Sequence, residues 1–198
     1  RSPEFFSALK NTLIISFLKT FVSFPVPIML AILLNELRYS KLKRSLQTIY
    51  TFPHFLSWVI VAGILRNLLA SNGALNNLIS TLGGERVSFL TTPGIFRPLL
   101  VISAIWKESG WDCIIYLTAI TAIDPTLYES ADIDGANRWH KMLHVTWPGM
   151  KHTAVILLIL AVGHAMNAGF DQIFNMYNPA VYSVADIIDT YVYRITFE

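Results

Sequence analysis

Lys107, Glu108, Trp111 and Asp112 lie within SAIWKESGWDCIIY (103–116), an otherwise apolar stretch. At helical spacing Glu108 and Asp112 share one face, and Lys107 and Trp111 share another. Three chemistries fit these groups. A lysine–carboxylate pair can pin helices together. Trp106 and Trp111 can stack on sugar rings while the charged groups hydrogen-bond hydroxyls. Lys107, Glu108 and Asp112 can also pass a proton between them. His140 and His144 share a helical face at metal-ligand spacing, but the residue after the first histidine is Lys141 where a zinc protease needs a glutamate. A solvated or partner-facing pair is the reading adopted for them. No Ser/His/Asp or Cys/His set is visible for an intramembrane hydrolase, and no G-x-x-x-x-G-K-[ST] phosphate loop is present. Cys113, the single cysteine, lies in an apolar run and reads as a packing residue.

The elements that hold these residues are set by composition. Of 198 residues, 54% are hydrophobic and 14% charged. A soluble domain of that size could not bury so much apolar side chain. The expected class is therefore all-α, a polytopic transmembrane helical bundle. The net charge of +2 gives no reason to expect a nucleic-acid partner. Four apolar runs, at about 12–34, 52–70, 97–123 and 153–170, approach the roughly 20 residues that cross a bilayer core. Lys19, Pro25 and Pro27 interrupt the first, which should be kinked there. Residues 71–94, rich in glycine, read as a loop with one short helix. Residues 171–198 read as a loop plus a partly amphipathic helix over 185–193.

Charged groups inside such spans are costly and point to function. This applies to the 107–112 group first. Lys19 is expected to snorkel or pair within the bundle. His164 is expected either to line a path or to bond a backbone carbonyl.

Orientation follows from basic residues in short loops. Loops 35–47 and 124–152 hold Arg38, Lys41, Lys43, Arg44, Arg138, Lys141 and Lys151, whereas loop 71–94 holds Arg86 and the tail Arg194. Seven against two places 124–152 in the cytoplasm and both chain ends outside. A complete protein would then need at least one more span on each side, so the chain reads as part of a longer one. The basic segment 37–45 can also meet anionic membrane lipid.

Segment 124–152 is folded in expectation. Asp124-Pro125-Thr126 offers an N-terminal cap, with Glu129 and Asp132 in early turns where the helix dipole favours acids. Gly135 permits a tight turn, and a second helix over 137–145 should end before Pro148. Ala131, Ile133, Ala136, Trp139, Met142 and Leu143 give the pair an apolar side that needs a partner.

Glu129-Ser130-Ala131, then Gly135-Ala136, then Val145-Thr146-Trp147-Pro148, resembles the signature loop of permease subunits in bacterial ABC importers. The usual pattern is Glu-Ala-Ala, three residues, Gly, and later Ile-x-Leu-Pro, so Ser130 and Trp147 depart from it. ALKNTL (8–13), AILLNEL (31–37), YTFPHFLSWVIVAG (50–63) and GFDQIFNMYNPAVYSVADIIDTYVYR (169–194) are similar to the maltose-type branch, and within it to polysaccharide and oligosaccharide permeases. The resemblance implies a type I importer permease fold with six spans, of which this chain holds the middle four. It implies a coupling helix docking on a separate ATPase through Glu129, Ser130, Ala131, Asp134, Gly135, Ala136 and Pro148. The substrate path implied uses Lys107, Glu108, Trp111, Asn167, Phe170 and Asp171. Implied partners are an ATPase pair carrying ATP and Mg²⁺, a second homologous permease and an extracellular solute-binding protein in a bacterial inner membrane. The chain itself should bind no cofactor or metal and catalyse nothing. The rival reading is a proton-coupled secondary transporter built on Lys107, Glu108 and Asp112.

Overall fold

A computed structural model describes residues 3–164 and 167–197, and among these every regular element is helical. Helix α1 (Pro3–Ser23) stops where Pro25 and Pro27 open α2 (Pro25–Asn35), since neither proline can donate to a continuing ladder. The helix is therefore interrupted where the prolines led us to expect it, and it begins at Pro3, ahead of the apolar run expected from about residue 12. Helix α3 (Ser40–Thr51) occupies much of what the sequence suggested was a loop. It leads through a 3₁₀ turn (Phe52–Phe55) into α4 (Trp58–Leu69). The span expected over 52–70, with Pro53 marking its entry, is thus α-helical only from Trp58, after a 3₁₀ break at that entry. Beyond the break, Ser57 restarts the helix by accepting the Ile60 N–H on its hydroxyl.

Helix α5 (Ala74–Thr81) is the short helix expected in 71–94. Helix α6 (Pro93–Thr121) runs 29 residues, with Pro98 in its second turn. Helices α7 (Pro125–Ile133) and α8 (Arg138–Lys141) follow. A wide π turn (Met142–Thr146) then continues directly into α9 (Trp147–Gly163). The helix was expected to stop before Pro148 and instead passes through it. In the π turn the Trp147 N–H reaches back to the Met142 carbonyl, and this looser winding accommodates a residue with no N–H of its own. Helix α9 ends at Gly163, short of the expected 170; Ala165 and Met166 lie outside the described residues. The tail is more helical than its polar composition suggested: α10 (Phe170–Met176), a 3₁₀ turn (Pro179–Val181), α11 (Tyr182–Ala185) and α12 (Ile188–Phe197).

Two compact units result. The first comprises residues 1–20, 56–104 and 165–198. Ile15, Phe96, Leu100, Ile173, Met176 and Ile187 form its core. A buried polar network fastens the tail to this core. Asn11 donates to the carbonyls of Ser183 and Asp186, and Arg97 donates to Asn11 and to the Val184 carbonyl. Arg194 pairs with buried Asp186 at 2.6 Å. The buried Asp186 carboxylate is thus paired, which low-dielectric surroundings demand. The second unit comprises 21–55 and 105–164, with Ile28, Leu34, Cys113, Tyr116, Ile120 and Met150 in its core.

Three helical stretches among the described residues are long and apolar enough to cross a membrane: Pro3–Asn35, Trp58–Thr81 and Arg138–Gly163. Helix α6 has the length but carries Arg97, Lys107, Glu108 and Asp112. Phe17, Leu33, Ile102, Ile156 and Ile159 are exposed, a surface that water would penalise and a lipid would not.

Candidate functional site

Lys107, Glu108 and Trp111 converge within the second unit, halfway along α6, and the residue that organises them is one the sequence reading passed over. His54 lies in the 3₁₀ turn at the break of the expected second span. Its carbonyl accepts from Lys107 Nζ at 2.9 Å, and Lys107 also pairs with Glu108 Oε1 at 3.0 Å. The other carboxylate oxygen, Oε2, accepts from His54 Nδ1 at 2.6 Å. Carbonyl, ammonium, carboxylate and imidazole therefore close a ring of hydrogen bonds. The imidazole then lies flat against the Trp111 indole, with centroids 4.6 Å apart and planes within 5°. Phe55 meets the same indole edge-on.

Lys107 is only 6% exposed, whereas Trp111 is 42% exposed. The cation is thus sunk and the ring beside it open. The lysine–carboxylate pairing raised by the sequence is present; so is an accessible ring next to polar groups. Asp112 is exposed and Trp106 is exposed.

Asn167, Phe170 and Asp171 belong to the first unit. Gly169, in the left-handed region at φ +88°, turns the chain into α10. Asn167 Oδ1 accepts from the Gly169 N–H, and Phe170 stacks on Phe174. Lys19 donates to the Ala168 carbonyl at 2.6 Å, so it pairs within its unit as expected. His164 Nδ1 lies 2.8 Å from the Leu160 carbonyl, the second of its two expected uses.

The 124–152 segment is built as its capping residues require. Asp124 accepts from the Thr126 N–H at 2.9 Å. That bond, reinforced by the Thr126 hydroxyl, holds the Asp124 carboxyl below the usual carboxylate range. Gly135, at φ +73°, turns the chain between α7 and α8. Lys141 bridges back to Asp132 at 2.7 Å, and the Tyr128 hydroxyl lies 2.9 Å from the buried Thr146 hydroxyl. So braced, the pair leaves Glu129, Ser130 and Asp134 exposed, and Ile133 stands 87% exposed. Beside it lies an open cleft of about 520 Å³ lined in part by Ala131, Gly135, Ala136, His140 and His144. The two histidine rings stack at 6.0 Å. Among the described residues no three His, Cys, Asp or Glu side chains converge as a metal ion would require.

Comparison with known proteins now adds to this geometry. The chain is 48% identical over 96% of its length to the polygalacturonan/rhamnogalacturonan transport system permease protein YteP of Bacillus subtilis (strain 168), and covers 60% of that protein. It is 45% identical over 98% of its length to protein LplB of the same organism, covering 61%. The chain therefore spans about three-fifths of the curated relatives it matches. A solved bacterial ABC transporter involved in import of the acidic polysaccharide alginate superposes with a TM-score of 0.96 at 45% identity, over 100% of this chain and 69% of that one. A second structure, the bacterial alginate ABC transporter in complex with an alginate pentasaccharide-bound periplasmic protein, gives 0.94 at 47% identity over 98% and 68%. The family of binding-protein-dependent transport system inner membrane components matches residues 23–177. This helical membrane chain, with its signature segment at 124–152, belongs to that family.

Proposed function

We propose that this chain is the membrane-spanning core of a permease subunit in an ATP-driven, binding-protein-dependent importer for oligosaccharides or polysaccharide fragments. The observation that carries the reading is the braced helix pair around Gly135. It is a folded, capped element with an unsatisfied apolar side, in a family of transport-system membrane components. A rigid helix seated in a groove of an ATPase can pass a nucleotide-driven closure into the membrane helices. In this role Glu129 pairs with a basic group of the ATPase, and Gly135 permits close approach. Ser130, Ala131, Asp134, Ala136 and Pro148 complete the docking segment.

The same reading gives the chain four spans within a six-span protein, with 124–152 in the cytoplasm. Its partners are an ATPase pair, a second homologous permease and an extracellular solute-binding protein. ATP and Mg²⁺ belong to the ATPase; this chain holds neither. Lys107, Glu108 and Trp111 line the substrate path, as do Asn167, Phe170 and Asp171. YteP is named for polygalacturonan and rhamnogalacturonan, and the matching structures concern alginate. Both favour uronate-bearing chains as the class carried here.

The test is co-purification of the full-length protein in detergent with its ATPase, wild type against Glu129→Lys. Loss of the ATPase from the variant, with the membrane fold retained, is expected. Full ATP-driven uptake by Glu129→Lys would remove the docking role. Uptake that collapses with the proton gradient and ignores ATPase loss would bring the proton-coupled reading forward.

A further inference from the structure

We infer that His54 is a positioning residue of the saccharide path, holding the Trp111 indole and the Glu108 carboxylate in the arrangement that meets the sugar. The inference rests on the transport reading above and adds to it a residue that the sequence did not single out.

Three short distances converge on this one side chain and its own carbonyl. Nδ1 to Glu108 Oε2 is 2.6 Å, the carbonyl to Lys107 Nζ is 2.9 Å, and the ring to Trp111 is 4.6 Å. A carboxylate can only accept, so Nδ1 carries the proton in this bond. With Lys107 on one oxygen and His54 on the other, Glu108 has no free rotation about its terminal bond. Charge-assisted bonds of this length are stronger than neutral ones, and they set the imidazole plane as well. A ring so fixed then fixes the indole stacked on it. Offset aromatic contact favours that geometry beyond mere burial.

Position matters as much as geometry. Glu108 and Trp111 stand midway along a 29-residue helix flanked by apolar residues. Polar side chains at that depth face protein or an aqueous path, because lipid cannot hydrate them. Glu108 keeps 38% of its side chain exposed, and His54 keeps 30%. A purely structural clamp would gain by closing over both. Here the clamp stays open on the side where Trp111 presents its ring, which suits a sugar that needs a flat apolar surface and a hydrogen-bond acceptor together. Sugar-binding surfaces of this kind lose affinity when the ring can tilt, since ordering it must then be done at each binding event.

The test uses the full-length transporter with its ATPase and binding protein in proteoliposomes, and labelled galacturonate and alginate oligosaccharides as probes. Variants are His54→Ala, His54→Gln, which keeps a donor for Glu108, and His54→Phe, which keeps a ring for Trp111. Two readouts are taken: the oligosaccharide concentration at half-maximal uptake, and the emission assigned to Trp111 by subtracting the spectrum of Trp111→Phe. We expect His54→Ala to assemble normally, to shift the Trp111 emission, and to raise half-saturation about tenfold, as loss of one hydrogen bond and one stack would. The maximal rate should change far less, and His54→Phe and His54→Gln should each restore part of the affinity. An unmoved Trp111 emission in His54→Ala overturns the positioning role. A shifted emission with unchanged half-saturation overturns its link to the path. Absence of uptake of either oligosaccharide by the wild type would instead overturn the transport reading on which the inference rests.

Discussion

A methyl group added at Gly110 would run into the backbone carbonyl of Tyr50, so α6 and α3 touch main chain to main chain at this point. Gly110→Ala should therefore force the two helices apart and destabilise the purified protein by about 1–3 kcal/mol, as overpacking does. Unfolding in detergent would check it. His54 follows Tyr50 by four residues, so the same variant should also disturb the Trp111 stack. Asp124 offers a second residue-scale prediction. Its carboxyl is held below the ordinary range by the Thr126 N–H and hydroxyl. A depressed value in the folded state means the cap contributes above the unfolded carboxylate value, about 3.9, and is lost as pH falls through the lower folded value. Exchange at the Thr126 amide should rise under acid in the wild type, rise at every pH in Asp124→Ala, and stay low in Asp124→Asn, whose side-chain oxygen needs no ionisation. Asp124 and Gly135 were legible in the sequence because capping and left-handed turns are local rules. His54 was not, because its partner lies 54 residues away and no periodicity connects them.

At the scale of elements, local rules failed where a helix absorbed its own interruption. Pro148 signals an end in sequence, yet the π turn at Met142–Thr146 widens the ladder and lets α9 continue. The broken second span failed in the opposite sense. Pro53 was expected to mark its entry, but it sits in a 3₁₀ turn and the α-helix begins only at Trp58. The tail misled because its tyrosines and asparagines look solvated, whereas Asn11, Arg97 and Asp186 bind it to a core the sequence does not reveal. Deleting Leu143 would convert the wide turn to ordinary winding and rotate α7 and α8 by about 100° relative to α9, one residue's share of a turn. The protein should still insert, but co-purification with the ATPase should be lost. Retained co-purification would show that the turn does not set the docking direction.

Among the described residues every regular element is helical, and the chain's apolar composition agrees with a membrane protein. Its topology can be read chemically because its cysteine, Cys113, is buried and so gives little labelling background. In the full-length protein with any other cysteines removed, Glu85→Cys should react with an impermeant maleimide added to intact cells. Glu129→Cys should react only after permeabilisation. The reverse pattern would invert the proposed orientation. The unbroken winding from Arg138 to Gly163 has a mechanical consequence. Twenty-six residues of helix span about 39 Å, so a tilt of about 5° at the proposed docking end would sweep the far end through about 3 Å. A hinge at Pro148 would have dissipated that sweep as bending. By winding through the proline, the chain turns a small angular input into a displacement comparable to the width of a hydroxyl group.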